Sequence, residues 1–331
     1  MPDNTILEVS NLSKHFPVRR SLGQIVSGRK SVVRAVDGVS FAVRRQEILG
    51  LVGESGCGKT TTGKLVMKLL EPTAGGIRFD GREATNAVGE ELAHYRRQVQ
   101  MIFQDPYSSM NPRFKIRDVL EEPLLIHGLG ASRSEREELI RQALAEVKLT
   151  PVEDFMGRFP HMLSGGQRQR AATARTLILS PALLVADEPV SMIDLSTRAE
   201  ILAMMKEVQR KLGLSFLYIT HDLSTAYQIC DEMCVLYLGR LVEKGPVRDV
   251  VEKAGHPYVR QLIGSIPVPD PDVKWGSELA LPDERKVKEQ GQGGCCFYAR
   301  CPRAMERCRS AQPPFSDVSS ERHRAACFLY G

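Results

Sequence analysis

The segment Gly53-Glu54-Ser55-Gly56-Cys57-Gly58-Lys59-Thr60 has the spacing G-x-x-x-x-G-K-[ST]. Glycines at these places let main-chain N–H groups close around an anion. A lysine at the end reaches the outer phosphates of a nucleotide, and the next hydroxyl can ligate Mg²⁺. Lys59 and Thr60 are the candidates for those two tasks, with Thr61 beside them.

A second segment, Leu183-Leu184-Val185-Ala186-Asp187-Glu188, ends an apolar run in two acids. Asp187 is placed to hold Mg²⁺. Glu188, one residue on, is placed to orient an attacking water and take its proton. A third segment, Leu163-Ser164-Gly165-Gly166-Gln167, opens a helical pattern and offers a second set of N–H donors to an anion. One nucleotide needs one phosphate loop. Two such starts, over a hundred residues apart, are expected to serve one nucleotide from two protomers. Gln104 follows MIF and is a candidate for Mg²⁺ and the attacking water. His221 follows LYIT and is a candidate for holding the γ-phosphate and Glu188 in line.

These residues need strands to carry them. EILGLVG (47–53), LLVAD (183–187) and SFLYITHD (215–222) are short apolar runs with polar ends. Helical patterns alternate with them. GKTTTGKLVMKLLEP places Leu65, Val66, Leu69 and Leu70 on one face and stops at Glu71-Pro72; ARTLILS and RAEILAMMKEVQRKL precede the later runs. Such alternation predicts a largely parallel α/β sheet with ligands at the carboxyl ends of its strands. Residues 104–166 have another texture, predicting a small helical insertion. It holds Pro106, Pro112 and Pro123, a capping box at Ser132 and Glu135, and an apolar face of Leu139, Ala143, Leu144 and Val147.

After residue 265 the chain is rich in Pro, Gly and charge, which predicts a linker or extended arm. We therefore divide the chain into 1–265, a nucleotide-binding unit, and 266–331, a C-terminal extension. Five of the eight cysteines (Cys295, Cys296, Cys301, Cys308 and Cys327) fall in the last 37 residues. In a reducing compartment such clustering points to a metal or cluster site before disulfides. No C-x-x-C knuckle is present, which weighs against structural zinc. Four thiolates suit a [4Fe–4S] cluster, with zinc as the alternative. Cys57 is expected to be a small filler in the loop, and Cys230 and Cys234 core residues.

In this order and spacing, the phosphate loop, Gln104, LSGGQ, LLVADE, SMID (Ser191 to Asp194) and His221 resemble ABC-transporter ATPase subunits over roughly residues 5–250. GESGCGKT, MIFQDPYSSMNPR, PHMLSGGQRQR and HPYVRQLIGSIPVPDP are similar to the F-type ATPase subunit of oligopeptide/dipeptide importers, as is the basic insertion between Phe16 and Val36. The resemblance implies a RecA-like P-loop NTPase fold with a helical subdomain at about 104–166 that touches membrane subunits. It implies that Phe16 stacks on adenine and that Asp194 communicates across a dimer. The tail resembles that family's C-terminal extension, which implies a [4Fe–4S] cluster on Cys295, Cys301, Cys308 and Cys327, with Cys296 as an adjacent extra thiol. Thr60 stands where serine is usual, and SMID where S-A-L-D is commoner; both keep the functional group. The implied partners are a paralogous ATPase subunit, two membrane-spanning permeases and, indirectly, an extracytoplasmic solute-binding protein. Related importers carry peptides, nickel or oligosaccharides.

Composition fits this frame. Hydrophobic residues make up 42% of the 331 residues and charged residues 26%, ordinary for a globular chain. No run nears the ~18–20 apolar residues of a membrane span. MPDNTILEVSNL lacks a signal-peptide pattern, so a soluble protein inside the cell is expected, and the resemblance implies a peripheral place on the cytoplasmic face of the membrane. Net charge is +5, but residues 13–45 carry eight basic side chains against Asp37 alone, a local +7. That window suits a solvated loop or a membrane-side contact. Few aromatics are interleaved with it, which argues against nucleic acid. A non-transport ABC ATPase acting on ribosomes or DNA is the alternative; neither a tandem ATPase unit nor a long coiled coil is found.

Overall fold

The computed structural model describes residues 4–17, 32–106, 109–266 and 293–331. Residues 18–31 of the basic window, the Tyr107-Ser108 pair and nearly all of the expected linker lie outside these residues.

The central sheet grows from the apolar runs. Strands β3 (Ile48–Val52), β7 (Leu183–Asp187) and β8 (Ser215–Thr220) are buried at every position. Burial on both faces explains why they read as continuous apolar runs rather than as alternating ones. Side chains nonetheless alternate between two cores. Leu49, Leu51, Leu183, Val185, Leu217 and Ile219 fill one. Ile48, Val52, Leu184, Ala186, Phe216 and Tyr218 fill the other. With β6 (Val99–Ile102) and β9 (Glu232–Tyr237) these strands form the parallel run β9-β3-β8-β7-β6. The expected parallel α/β sheet is therefore present.

Three antiparallel strands extend it: β10 (Arg240–Pro246), β11 (Phe315–Ser320) and β12 (His323–Ala326). The eight-stranded order is β11-β12-β10-β9-β3-β8-β7-β6, so the C-terminal tail continues the nucleotide-binding sheet. A buried carboxylate fastens this join. Glu243 on β10 accepts His323 Nε2 at 2.7 Å and the N–H groups of Gly255 and His256 at 2.8 and 2.7 Å. Glu243 and His323 are both 0% exposed. A second, antiparallel sheet, β2-β1-β4-β5, has β1 (Thr5–Pro17), β2 (Val32–Arg44), β4 (Ala74–Phe79) and β5 (Arg82–Glu83).

Helix α1 (Lys59–Val66) follows the phosphate loop. It ends before the expected Glu71-Pro72 stop, because Lys68 turns to φ +53° and its ammonium caps the carbonyls of Ala84, Thr85 and Ala87. Leu69 is consequently exposed rather than on the buried face. After α2 (Gly89–Gln98), the insertion forms α3 (Ile116–Ile126), α4 (Arg133–Glu146) and α5 (Val152–Met156). Ser132 Oγ caps Glu135 N as expected, but the Glu135 carboxylate turns to Ala131 N, so only half the box forms. Ile140 joins Ala143, Leu144 and Val147 as a buried residue of this face, and Leu139 packs against the same core partly buried. Helix α6 (Gly165–Leu177) carries the second glycine segment, and α7 (Leu195–Leu212) follows β7. Helices α8 (Leu223–Ile229), α9 (Val247–Glu252), α10 (Pro257–Gly264) and, in the tail, α11 (Glu306–Ser310) complete the set used here. Cys230 and Cys234 are buried, as expected of core residues. Among the described residues no helix is long and apolar enough to cross a membrane.

Candidate functional site

Strand β3 ends at Val52 and the loop turns at once. A Cβ on Gly53, at φ +152°, would sit 2.2 Å from the Leu236 carbonyl oxygen. One on Gly58, at φ +109°, would sit 2.1 Å from that of Ala35. No side chain fits at either position, so the motif's first and last glycines are fixed by backbone packing as well as by conformation. Gly58 caps α1 without a side-chain bond, and the first turn carries no acid. The N–H groups there are left to an anion. Lys59 is buried and folds over the loop, donating to Gly53 O at 2.7 Å and Glu54 O at 2.9 Å. Ser55 and Gly56 are exposed, and Thr61 is half-buried on α1. Cys57 is 4% exposed; burial pushes its thiol pKa up, which suits a filler and not a nucleophile.

Beside the loop, Thr60 Oγ1 donates to Asp187 Oδ1 at 3.2 Å. Asp187 is 3% exposed. Burial raises its pKa and Glu188 adds to this; the Thr60 bond, Lys59 and Lys64 oppose it. A buried carboxylate paired with one hydroxyl is a donor set that fits a hard cation such as Mg²⁺.

Glu188 has φ +46°, a left-handed conformation uncommon for a side-chain-bearing residue. Its N–H donates to Ile219 O and its carbonyl accepts Ser191 Oγ, which hold the turn. The turn aims its carboxylate between two strand ends. Gln104 Nε2 donates to Oε2 at 3.0 Å, and His221 Nδ1 lies 2.8 Å from Oε1. Three residues that follow β6, β7 and β8 thus meet at the carboxyl edge of the sheet.

Ser164 and Gln167 form a capping box at the start of α6. Ser164 Oγ accepts Gln167 N at 3.3 Å, and Gln167 Oε1 accepts Ser164 N at 3.1 Å. Gly166 packs this start on α7, where a Cβ would meet Thr197 Cγ2 at 2.5 Å; Gly165 faces open space. Asp194 is exposed as the N-cap of α7. Phe16 lies on β1, 37% exposed, with Lys14 Nζ 5.4 Å from its ring centroid. None of these takes part in the bonds around Lys59, Asp187 and Glu188.

In the tail, Cys295, Cys308 and Cys327 are buried and Cys301 half-buried. Cys295 N donates to Cys308 O at 2.8 Å. A hydrogen bond from Cys296, opposed by burial and aided by His256, favours the Cys295 thiolate. Burial raises the Cys327 thiol pKa, and Cys295, Cys301 and Cys308 add to it. Among the described residues, however, no three His, Cys, Asp or Glu side chains converge into a metal-holding group.

Two residues that sequence reading passed over touch the phosphate loop. Tyr258 Oη accepts the Glu54 N–H at 3.0 Å, and Arg300 grips the Glu54 carboxylate. No local pattern ties either to a loop some two hundred residues earlier.

Comparisons with known proteins agree with this geometry. Residues 36–191 match the family described as ABC transporter, and residues 242–308 match the oligopeptide/dipeptide transporter C-terminal region. The oligopeptide transport ATP-binding protein AppF of Bacillus subtilis is 41% identical over 331 residues, covering 98% of each chain. The dipeptide transport ATP-binding protein DppF of Haemophilus influenzae is 41% identical over 327 residues, 98% of this chain and 97% of its own. Among solved structures, the ATP-binding cassette MJ0796, a dimer bound to ADP and Pi, superposes with a TM-score of 0.64 at 26% identity. The match covers 73% of this chain and 99% of that one.

Proposed function

The chain belongs to the ABC-transporter ATP-binding proteins of the oligopeptide/dipeptide type, and from that premise we propose that it hydrolyses ATP to power import of peptides. As a subunit of this kind it is peripheral to the membrane, pairs with a second cassette and works with permease partners. The observation that carries the hydrolytic reading is the Glu188 carboxylate, held at 3.0 Å by Gln104 and 2.8 Å by His221 beside the phosphate loop.

The roles follow from the geometry. ATP phosphates would be received by the loop residues Gly53, Ser55, Gly56, Cys57 and Gly58 and by the first-turn N–H groups of Lys59, Thr60 and Thr61, and Lys59 turns from its loop carbonyls to the β- and γ-phosphates. Asp187, Thr60 and Gln104 would hold Mg²⁺, which when bound neutralises charge on the phosphates. Glu188 accepts the proton of the attacking water, and His221 fixes the carboxylate's direction. Phe16 stacks on the adenine.

Ser164, Gly165, Gly166 and Gln167 serve the partner's nucleotide. Support comes from their position on a separate element with Gly165 open to solvent, and from the dimeric MJ0796 relative. Asp194 is the N-cap of α7, the helix on which Gly166 packs, and transmits the state of one site to the other. The partner is a paralogous ATPase, so the engine is a heterodimer on the cytoplasmic face of the membrane. It drives two permeases that receive peptide from a solute-binding protein. Residues 1–265 are the ATPase unit, with 104–166 as its helical subdomain, and 266–331 the extension. Within that extension Cys295, Cys301, Cys308 and Cys327 would hold a [4Fe–4S] cluster; their thiol donor chemistry supports this, while the described residues do not bring three of them into one metal-holding group.

Phosphate release by the assembled transporter in proteoliposomes tests the whole reading. Peptide-stimulated, Mg²⁺-dependent release is expected. ATPase activity that ignores peptide but responds to nickel or an oligosaccharide would replace the cargo. Association with ribosomes and no membrane partner would replace the function.

A further inference from the structure

The tail reaches the phosphate loop by a built contact. Arg300 Nη1 donates to Glu54 Oε2 at 3.0 Å and Nη2 to Oε1 at 3.2 Å, a bidentate pair. The Arg300 side chain is 16% exposed. Its guanidinium lies 5.7 Å from the ring centroids of both Tyr237 and Phe297. Glu54 is also held through its main chain. Its N–H donates to Tyr258 Oη at 3.0 Å, and its carbonyl accepts Lys59 Nζ at 2.9 Å. Tyr258 is 0% exposed.

The placement of Arg300 is rigid for a stated reason. Phe297, 1% exposed, anchors the tail in an aromatic cluster, with ring centroids 5.2 Å from Tyr237 and 5.5 Å from Tyr258. The short 3₁₀ turn Tyr298–Arg300 follows, with Arg300 N donating to Phe297 O at 3.0 Å. Residues three apart in such a turn lie on one side. The anchor that seats Phe297 therefore presents Arg300 to the loop.

We infer that Arg300 is a positioning residue for ATP binding: the C-terminal extension holds Glu54, and through it the phosphate loop, in the shape that receives the phosphates. Next to Glu54 the loop is exposed at Ser55 and Gly56, so it has freedom to lose when nucleotide binds. Fixing Glu54 in advance removes part of that cost. The contribution falls on ground-state binding, since Arg300 touches no reacting atom.

This rests on the phosphate-loop reading, and the experiment separates the two. Full-length Arg300→Ala, Arg300→Lys, Glu54→Gln and the Arg300→Ala/Glu54→Gln double variant are assembled with their partner subunits, and KM for ATP and kcat are measured. Arg300→Ala is expected to raise KM about 3- to 10-fold with kcat within about twofold. Arg300→Lys should recover part of the loss, Glu54→Gln should match Arg300→Ala, and the double variant should be no worse than either single. Unchanged KM in Glu54→Gln, additive effects in the double variant, or a loss confined to kcat would overturn the proposal. Glu54→Gln leaves the tail intact, so it decides the matter if Arg300→Ala fails to fold. Lys59→Ala is the control for the underlying reading. Normal ATP binding by Lys59→Ala removes the phosphate-loop assignment, whereas lost binding there with unchanged Arg300→Ala removes only the role of Arg300.

Discussion

His221 Nδ1 lies 2.8 Å from Glu188 Oε1, and the second carboxylate oxygen is taken by Gln104 at 3.0 Å. The backbone at Glu188 is left-handed, φ +46°, and is held by its N–H to Ile219 O and by Ser191 Oγ to its carbonyl. Glu188→Gln keeps the shape and removes the base. Hydrolysis by the assembled transporter is expected to fall about 10²- to 10⁴-fold with ATP still bound. Size-exclusion chromatography with MgATP should then show an accumulated cassette pair. Rapid turnover by this variant would take Glu188 out of its role.

Gly165 offers a clean probe of the partner-facing surface. Nothing lies within 4 Å of a Cβ built there, so Gly165→Asp adds a charge without a clash. ATP binding by the isolated subunit should be unchanged. ATPase activity of the pair should fall by about 10²-fold, the scale for spoiling a preorganised anion site. Normal activity with the substitution on both partners would mean each subunit works alone.

Asp187 carries a cost in the nucleotide-free protein. Burial holds its pKa above the ordinary 3.8, so the folded state grips the proton more tightly than the unfolded chain. Its contribution to stability is present at low pH and lost as pH rises through the folded value. Asp187→Asn should therefore raise the Tm of the nucleotide-free chain at neutral pH, since the amide carries no charge to bury. The gain should shrink toward pH 4, and Mg²⁺-dependent hydrolysis should be lost. Calorimetry across pH measures this; a fall in Tm at neutral pH would contradict the sign.

For the thiols, protein purified without oxygen should contain iron and sulfide and absorb broadly in the visible. Both signals should vanish in Cys301→Ser/Cys308→Ser. Colourless protein with stoichiometric zinc, or with no metal, would overturn the cluster.

His323→Ala should destabilise the protein by about 2–3 kcal/mol, since it strips a fully buried carboxylate of one of its three hydrogen bonds. Denaturant midpoints measure the loss. A change below about 0.5 kcal/mol, the usual size at an exposed position, would show that the pair is not what fastens the tail.

The sequence was most legible where chemistry and local pattern coincide. Lys59, Asp187, Glu188 and His221 stand at the ends of apolar runs, and those runs became β3, β7 and β8. It was least legible where partners are distant. Strand β1 pairs with β2 through repeated register shifts, so its apolar residues show no clean alternation. Strand β12 meets β10 at only Glu243↔Ala325 and Lys244↔Arg324, too short a ladder to leave a periodic trace. Even within helices the contest was local against tertiary. Lys68 ended α1 early because three carbonyls outside the helix competed for it.

The same β10–β12 join sets an order of events. Until His323 to Ala326 arrive, the outer flank of β10 is a bare edge with open N–H and C=O groups and an uncovered acid, a template for any passing strand. The segment that seals it is synthesised 80 residues after Glu243. A nascent or prematurely stopped chain would thus hold every nucleotide motif and still be a sticky, unfinished product.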